Sequence, residues 1–395
     1  MTRRQVLIAG VILGCLSYMT DRGAGAAEWS AEPSIAVKGE YNSNLTLSHI
    51  LGEVWGGWIS PAVRFAGSTE RLEVSGKAAA DFITYTGDQS RSLTNLYFPL
   101  TARYTMERDA LALDGGFTRD NTLMTELRQT GAVLSFTQRN YLSVSPSWTH
   151  TVTENLSLQA GYQFVNTTYE NGIPLGLFDY DVNGGNLGAS YKVTERDNVQ
   201  LTGSYTKVNI FDKELKIGTA AASLSITHAL SEATTVTAFG GPKFLDQTQT
   251  IGSTSLNDNQ LIWTYGGSIR TKWEDALASL DGSQDVNVSG LGVLLKTDRL
   301  GVSISKDLTE NLTISFAGAG YLVQSVPAQG STAQIAETRL ITASPAITWK
   351  LSQWWTLDAA YTYADRRVDT TNDMTHGNSA FLRLTYIIPK LSFSR

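Results

Sequence analysis

Histidine is the natural place to look for chemistry first, because imidazole serves both as a metal ligand and as a general base. The chain has four. His49 lies near one end and His376 near the other, with Asp369 and Asp373 close to the latter. Brought together, these side chains would offer two nitrogens and two carboxylates to a metal or a hydrolytic reaction. Their spacing is not that of a helical or hairpin zinc site, and no serine or aspartate is paired with them in the pattern of a hydrolase. His150 and His228 each precede a glutamate by four residues, which makes them members of a repeat rather than of a site. The expectation is a protein that is not an enzyme and holds neither metal nor cofactor.

A second set of polar residues is spaced by twos. Glu73, Lys77 and Asp81 alternate with Leu72, Val74, Gly76, Ala78, Ala80 and Phe82. Arg103 alternates with Leu100, Ala102 and Tyr104, and Arg383 with Leu382 and Leu384. Successive side chains of a strand point to opposite faces, so each stretch is a strand with one apolar and one polar face. Arg64, Asp114 and Asp358 join the same polar face. Together, Arg64, Glu73, Lys77, Asp81, Arg103, Asp114, Asp358 and Arg383 are the candidate lining of an interior. They come from strands two to five and the last two strands, whereas strands seven to ten supply Ser, Thr, Gln, Asn and Gly. The expected interior has one charged wall and one neutral wall of hydroxyls and amides.

The elements that must position these residues are counted by a repeat. Thr69-Glu70-Arg71, Glu107-Arg108, Thr153-Glu154-Asn155, Thr194-Glu195-Arg196, Ser231-Glu232, Glu274-Asp275 and Thr309-Glu310-Asn311 recur, and Ser352-Gln353 has glutamine in the same place. The gaps between successive Glu/Gln positions are 37, 47, 41, 37, 42, 36 and 43 residues. A period near 40 also suits a propeller, but a blade needs four short strands per period. Here each period holds two strands of about ten residues and one variable loop, the pattern of a transmembrane barrel. Eight turns join nine hairpins, which makes eighteen strands, or sixteen if the weak region 276–300 holds one hairpin fewer. Closure is required because a bilayer cannot satisfy the polar groups of an open sheet edge.

The ends and the composition agree. Arg3 and Arg4 precede the apolar stretch Val6–Tyr18, and Ala24-Gly25-Ala26 offers a small-residue cleavage site, so residues 1–26 read as a signal peptide and 27–395 as one barrel domain. Ile12-Leu13-Gly14-Cys15 could mark lipoprotein cleavage instead, but the apolar run before it is short. Cys15 is the single cysteine, so the mature chain has no thiol for metal, disulfide or nucleophilic chemistry. Removing residues 1–26 takes away Arg3, Arg4, Arg22 and Asp21 and moves the net charge from −6 to −8, which argues against a nucleic-acid surface. Charged residues are 17% of the chain, against about 25% for soluble domains.

The fold expected is therefore all-β: an antiparallel up-and-down barrel in a bacterial outer membrane, reached through the periplasm. Short turns face the periplasm. Longer loops, near 42–50, 86–92, 119–130, 169–182, 210–216, 246–260, 284–290, 324–336 and 366–376, face outward. Trp148, Trp273, Trp349, Trp354 and Trp355 fall near the short turns, and Trp55, Trp58 and Trp263 near the other strand ends, as two aromatic belts would. Pro61, Pro99, Pro146 and Pro345 recur eight or nine residues before a turn and are expected to mark bulges. Loops 169–182 and 246–260 are the longest candidates for folding inward. Lipid and the barrel assembly machinery are the partners this architecture needs.

Gly39-Glu40-Tyr41-Asn42-Ser43-Asn44-Leu45-Thr46-Leu47-Ser48 resembles the opening motif of β-barrel porins associated with exopolysaccharide and exosortase (PEP-CTERM) gene clusters, and the repeated turns and proline-bearing strands are similar too. The resemblance implies a conduit that helps a polysaccharide leave the cell, in cooperation with a periplasmic polysaccharide export protein. It implies no catalytic residue. One departure is that Pro389 ends the last strand, so that Phe393 is near the terminus but not at it. The alternatives are a general porin for hydrophilic solutes and a non-conducting scaffold or adhesin, which a loop folded into the lumen would favour.

Overall fold

A computed structural model describes residues 28–48, 52–88, 90–122, 137–251, 254–326, 336–369 and 373–394. The expected signal peptide, His49 and most of loop 119–130 lie outside them. The strands are β1 (Glu28–Asn42), β2 (Val54–Ser68), β3 (Leu72–Gly87), β4 (Arg91–Thr105), β5 (Asp109–Asn121), β6 (Gln138–Thr151), β7 (Leu156–Tyr169), β8 (Tyr180–Lys192), β9 (Asp197–Ile210) and β10 (Leu215–Ala229). They continue with β11 (Thr234–Ile251), β12 (Thr254–Lys272), β13 (Ala276–Val288), β14 (Leu294–Thr309), β15 (Leu312–Ser325), β16 (Thr338–Lys350), β17 (Trp355–Val368), β18 (Asp373–Ile387) and the short β19 (Leu391–Ser394).

From β1 to β18 each strand pairs antiparallel with its neighbours in sequence, and β1 pairs with both β2 and β18, so eighteen strands close a ring. The closing seam is shared. Ser34 to Asn42 of β1 face Ile387 to Ser379 of β18, and Glu28 to Ala31 face Ser394 to Leu391 of β19. Pro389 interrupts the last strand, but the chain resumes its pairing beyond it, with Phe393 opposite Trp29.

The two faces follow from the alternation. Val37, Ile59, Phe82, Leu187, Leu201, Leu261, Leu300, Ile341 and Leu382 are exposed on the outer face. Ile83, Tyr85, Val208, Ile210, Ile217 and Leu245, at the outer ends of the other face, are buried by segments packed inside the ring. An exposed apolar band around a closed, polar-lined sheet is what a bilayer demands of a spanning β-structure.

All eight repeated motifs are the tight turns between hairpin arms. The group that builds most of them is the Ser or Thr rather than the Glu. Thr153 Oγ1 accepts from the N–H groups of Asn155 (3.3 Å) and Leu156 (3.0 Å). Thr194 Oγ1 does the same for Arg196 and Asp197, both at 3.1 Å, and Ser352 Oγ for Trp354 and Trp355, both at 3.2 Å. A hydroxyl capping its own chain two and three residues on is a local turn device, whereas Glu154 and Glu195 are exposed. Thr194→Val should therefore cost about 0.5–1.5 kcal/mol for each bond lost, read as a lower urea midpoint, and Glu195→Ala should leave that midpoint almost unchanged.

The prolines do not mark bulges. The β2–β3 ladder runs from Ile59↔Phe82 to Ala62↔Ala79, with both strands advancing three residues across Pro61. The same in-register skip occurs at Pro99, Pro146 and Pro345, and at Pro242, which the reading of the sequence did not single out. A residue of an antiparallel strand sends its N–H to one neighbour only. Proline therefore interrupts one ladder locally and leaves the other intact, as the unbroken β1–β2 pairing of Pro61 with Ile35 shows. Trp58 also departs from expectation. It lies three residues from the exposed Trp55, hence on the opposite face, and is buried inside the ring instead of joining a belt.

Candidate functional site: the barrel interior

Among the described residues, segments packed inside the ring narrow its outer mouth from two sides. On one side Leu45 packs with Val54, Trp58, Ile83 and Tyr85. Leu47 is held in the left-handed region (φ 47°), with its carbonyl accepting from Thr375 Oγ1 at 3.0 Å and Arg366 at 3.2 Å. On the other side Tyr169, Leu177, Tyr180, Ile210, Ile217 and Leu245 enclose Val286 and Leu294, which belong to the β13–β14 hairpin. That hairpin crosses behind its neighbours. The Phe178 N–H donates to the Gly290 carbonyl (2.7 Å), Lys213 Nζ to that of Leu291 (2.9 Å), and Lys243 Nζ to Asp285 (2.6 Å). Among the described residues the inward-folded segments are thus 43–48, 170–179 and the tip of β13–β14. Segment 246–260 is no loop: β11 and β12 stay paired up to Ile251↔Thr254.

Burial in this packing pulls the Lys213 ammonium below its usual range. It pushes the Asp179 carboxyl above its own, with the Asp212 carboxylate adding to the rise and the Tyr169 N–H, at 2.8 Å, opposing it. For an acid raised in the folded state, stability is highest when the group is protonated and falls as pH climbs from the ordinary carboxylate value to the raised one. Asp179→Asn keeps an oxygen for the Tyr169 N–H and removes the charge. It should stabilise the barrel at neutral pH and flatten the acid side of a stability–pH profile, measured as the gel-shift temperature against pH.

Below the mouth lies a cavity of about 580 Å³. Lys38 and Glu40 of β1 form a 2.6 Å ion pair there, with Lys38 Nζ 3.7 Å from the Trp58 ring centroid and 4.9 Å from that of Phe381. Asp281 and Arg299, paired with each other on β13 and β14, also line it. The reading of the sequence missed both pairs. Lys38 and Glu40 were legible as alternate residues of the first strand, whereas Asp281 and Arg299 fall in the region where the alternation is weakest.

The eight candidate lining residues all fall on the polar face. Arg64 and Lys77 are cross-strand partners, as are Glu73 and Arg103, and Asp81 lies opposite Asn95. Asp114 accepts from Thr101 Oγ1 at 2.9 Å. Arg383 is 2.9 Å from Asp358, whose carboxylate also accepts from Thr348 at 2.8 Å. Arg64 lies 3.6 Å from Glu32. Among the described residues Lys77 and Arg103 have no ion-pair partner. Cavities of about 800 and 450 Å³ lie against this wall, lined in part by Arg64, Glu73, Lys77, Arg103 and Lys390. Across the ring the same face of β6 to β10 carries neutral groups such as Ser145, Gln159, Asn186, Gln200 and Ser225, with Gln200 Nε2 donating to Gln159 at 3.2 Å.

Among the described residues, which leave out His49, no histidine site forms. His376 belongs to β18, opposite Asp365, with its side chain exposed, and Asp369 is held by Arg339 (3.0 Å) and Arg367 (3.6 Å). His150 and His228 each bond an aspartate across a hairpin near the short turns, Asp109 at 2.8 Å and Asp197 at 2.6 Å. Among the described residues no group of three or more His, Cys, Asp or Glu could hold a metal.

Comparison with solved structures returns barrels. The copper transporter OprC superposes with a TM-score of 0.50 at 10% identity, over 89% of this chain and 65% of that one. The chain has the fold of an outer-membrane β-barrel. OccK5 (OpdH) of Pseudomonas aeruginosa matches at a TM-score of 0.47 and 13% identity, over 91% of this chain and 98% of its own. OccAB1 of Acinetobacter baumannii matches at 0.48 and 9%, over 92% and 97%. Residues 4–178 match the family described as "Putative MetA-pathway of phenol degradation". No curated protein matches the chain.

Proposed function

We propose that the protein is an outer-membrane channel for small hydrophilic solutes, and not an enzyme. The observation that carries this reading is the continuous polar face inside a closed eighteen-strand ring, wide enough in strand number for a water-filled lumen. The eight charged residues named from the sequence line one wall of that lumen, opposite hydroxyls and amides that exchange hydrogen bonds without holding a solute tightly, as conduction requires. Arg64, Lys77 and Arg103 are placed to attract anions. One of the cavities along the lumen, of about 580 Å³ below the mouth, is of the size that takes a small molecule.

An exopolysaccharide conduit, the expectation from the resemblance, finds no support in the family match. The match adds small aromatic compounds to the solutes worth testing. The inward-folded hairpin favours the second reading, a non-conducting scaffold. Planar-bilayer conductance of the folded, heat-modifiable barrel separates the two, with liposome swelling in sugars of increasing size and in small aromatic acids. Steady conductance, with swelling confined to the smaller solutes, is expected of the channel. A folded barrel that neither conducts nor swells vesicles would sink it.

A further inference from the structure

The pairing between β12 and β13 is the shortest in the ring outside the divided seam. It runs from Lys272↔Leu277 only to Tyr265↔Gln284, although both strands continue beyond. Above that point β13 stays with β14, as far as Val288↔Leu294, and carries the hairpin inward. The edge of β12 over Leu261 to Thr264 is left without a partner strand among the described residues, while its other edge remains on β11. An unpaired edge at the height of Leu261 and Trp263, both exposed on the lipid face, is unfavourable in a membrane.

The sequence of β13 fits that edge. Continuing the observed register would set Asp285 opposite Thr264, Val286 opposite Trp263, Asn287 opposite Ile262 and Val288 opposite Leu261. Leu280 and Gly282, below, already face outward with Ile269 and Gly267. Their alternation extends to Val286 and Val288, which would meet lipid beside Trp263 and Leu261, while Asp285 and Asn287 would face the lumen. In the structure Val286 is instead buried inside, against Tyr169, Tyr180, Ile217 and Leu245, with Val288 packed alongside. The same two valines thus have an apolar environment in either position, so little hydrophobic burial separates the two.

Resting on the channel reading, we propose that the outer half of the β13–β14 hairpin is a two-position gate. Swallowed, as here, it narrows the mouth and is tethered at Gly290 and Leu291. Zipped onto the free edge of β12, it completes the wall and clears the lumen. Both positions use the same residues, as a bistable switch must.

Two engineered disulfides test the gate, and Cys15, in the expected signal peptide, leaves no competing thiol in the mature chain. Phe178→Cys with Gly290→Cys joins residues whose backbones are hydrogen-bonded, which pins the swallowed position. Trp263→Cys with Val286→Cys can close only in the zipped position. Both bonds should form in the folded barrel under mild oxidant. The first should lower conductance severalfold relative to its reduced form, and the second should raise it. Lys213→Met, which cuts the tether to Leu291, should raise the open fraction without any crosslink. Equal conductance of oxidised and reduced forms in both pairs overturns the gate while leaving the channel standing. So does a 263–286 bond that never forms where 178–290 does. Silence of every form, the parent included, overturns the channel reading and the gate with it.

Discussion

Arg139→Ala should destabilise the barrel by about 3–5 kcal/mol, more than any other single charge removed from its interior. Arg139 Nε and Nη2 each donate to one oxygen of Asp120 at 3.0 Å, and the two side chains are only 9% and 7% exposed. The pair stands on neighbouring strands at the outer end of the polar face, where Asp120 is the register partner of Arg139. Without the guanidinium the carboxylate is left buried and uncompensated, and that desolvation penalty sets the size of the effect. Arg64, which is 69% exposed and 3.6 Å from Glu32, is the control. An ion pair in such wet surroundings is worth at most about 1 kcal/mol. The temperature at which the folded gel band converts to the unfolded one should drop sharply for Arg139→Ala and hardly move for Arg64→Ala. Asp120→Leu with Arg139→Met, which removes both charges and keeps the volume, should recover most of the loss. Similar shifts for the two alanine variants would mean that the buried pair is solvated after all.

Reversing Lys77 and Arg103 to glutamate should turn the channel toward cations. These two have no ion-pair partner among the described residues, so their charge is presented to the lumen rather than spent on a neighbour. A unit charge about 4 Å from a passing ion is worth about 1 kcal/mol in bulk water and about 4 kcal/mol at an effective dielectric constant of about 20. Four units of change on one wall are therefore large against thermal energy. Under a salt gradient the reversal potential of the double variant should shift by tens of millivolts toward the cation limit. The shift should shrink near 1 M salt, where the screening length falls to about 3 Å. Thr202→Val, on the neutral wall, should leave the potential where it was. An unmoved potential in Lys77→Glu with Arg103→Glu would mean that ions do not pass this wall.

Much of the architecture is written in short-range pattern. The period near 40 residues counts the hairpins, because six of the eight turns carry their own hydroxyl cap, at Thr69, Thr153, Thr194, Ser231, Thr309 and Ser352, and need nothing distant to form. The alternation places Arg64, Lys77 and Arg103 on the inner face, because side-chain direction in a strand depends on parity alone. The eighteen-strand ring follows once each hairpin must pair on both edges to cross a bilayer.

What parity and period do not encode is where a strand leaves its neighbour. Val286 and Val288 read as lipid-facing residues of an ordinary strand, yet they pack inside the ring against residues more than a hundred positions earlier, such as Tyr169 and Tyr180. Trp58 reads as a belt tryptophan and is instead covered by Leu45 from the first loop and capped by Lys38. The prolines read as bulges, but the register holds because the strand on the other side carries the ladder through. His376 reads as a loop residue because nothing local shows that β18 extends up to Asp373. In each case the outcome depends on which distant surfaces meet once the ring has closed, and those meetings shape the mouth of the lumen. Sequence alone determined the barrel, its turns and which residues fall on the polar face. The tertiary structure decided how far the lumen is open, because that turns on long-range packing that no local period can carry.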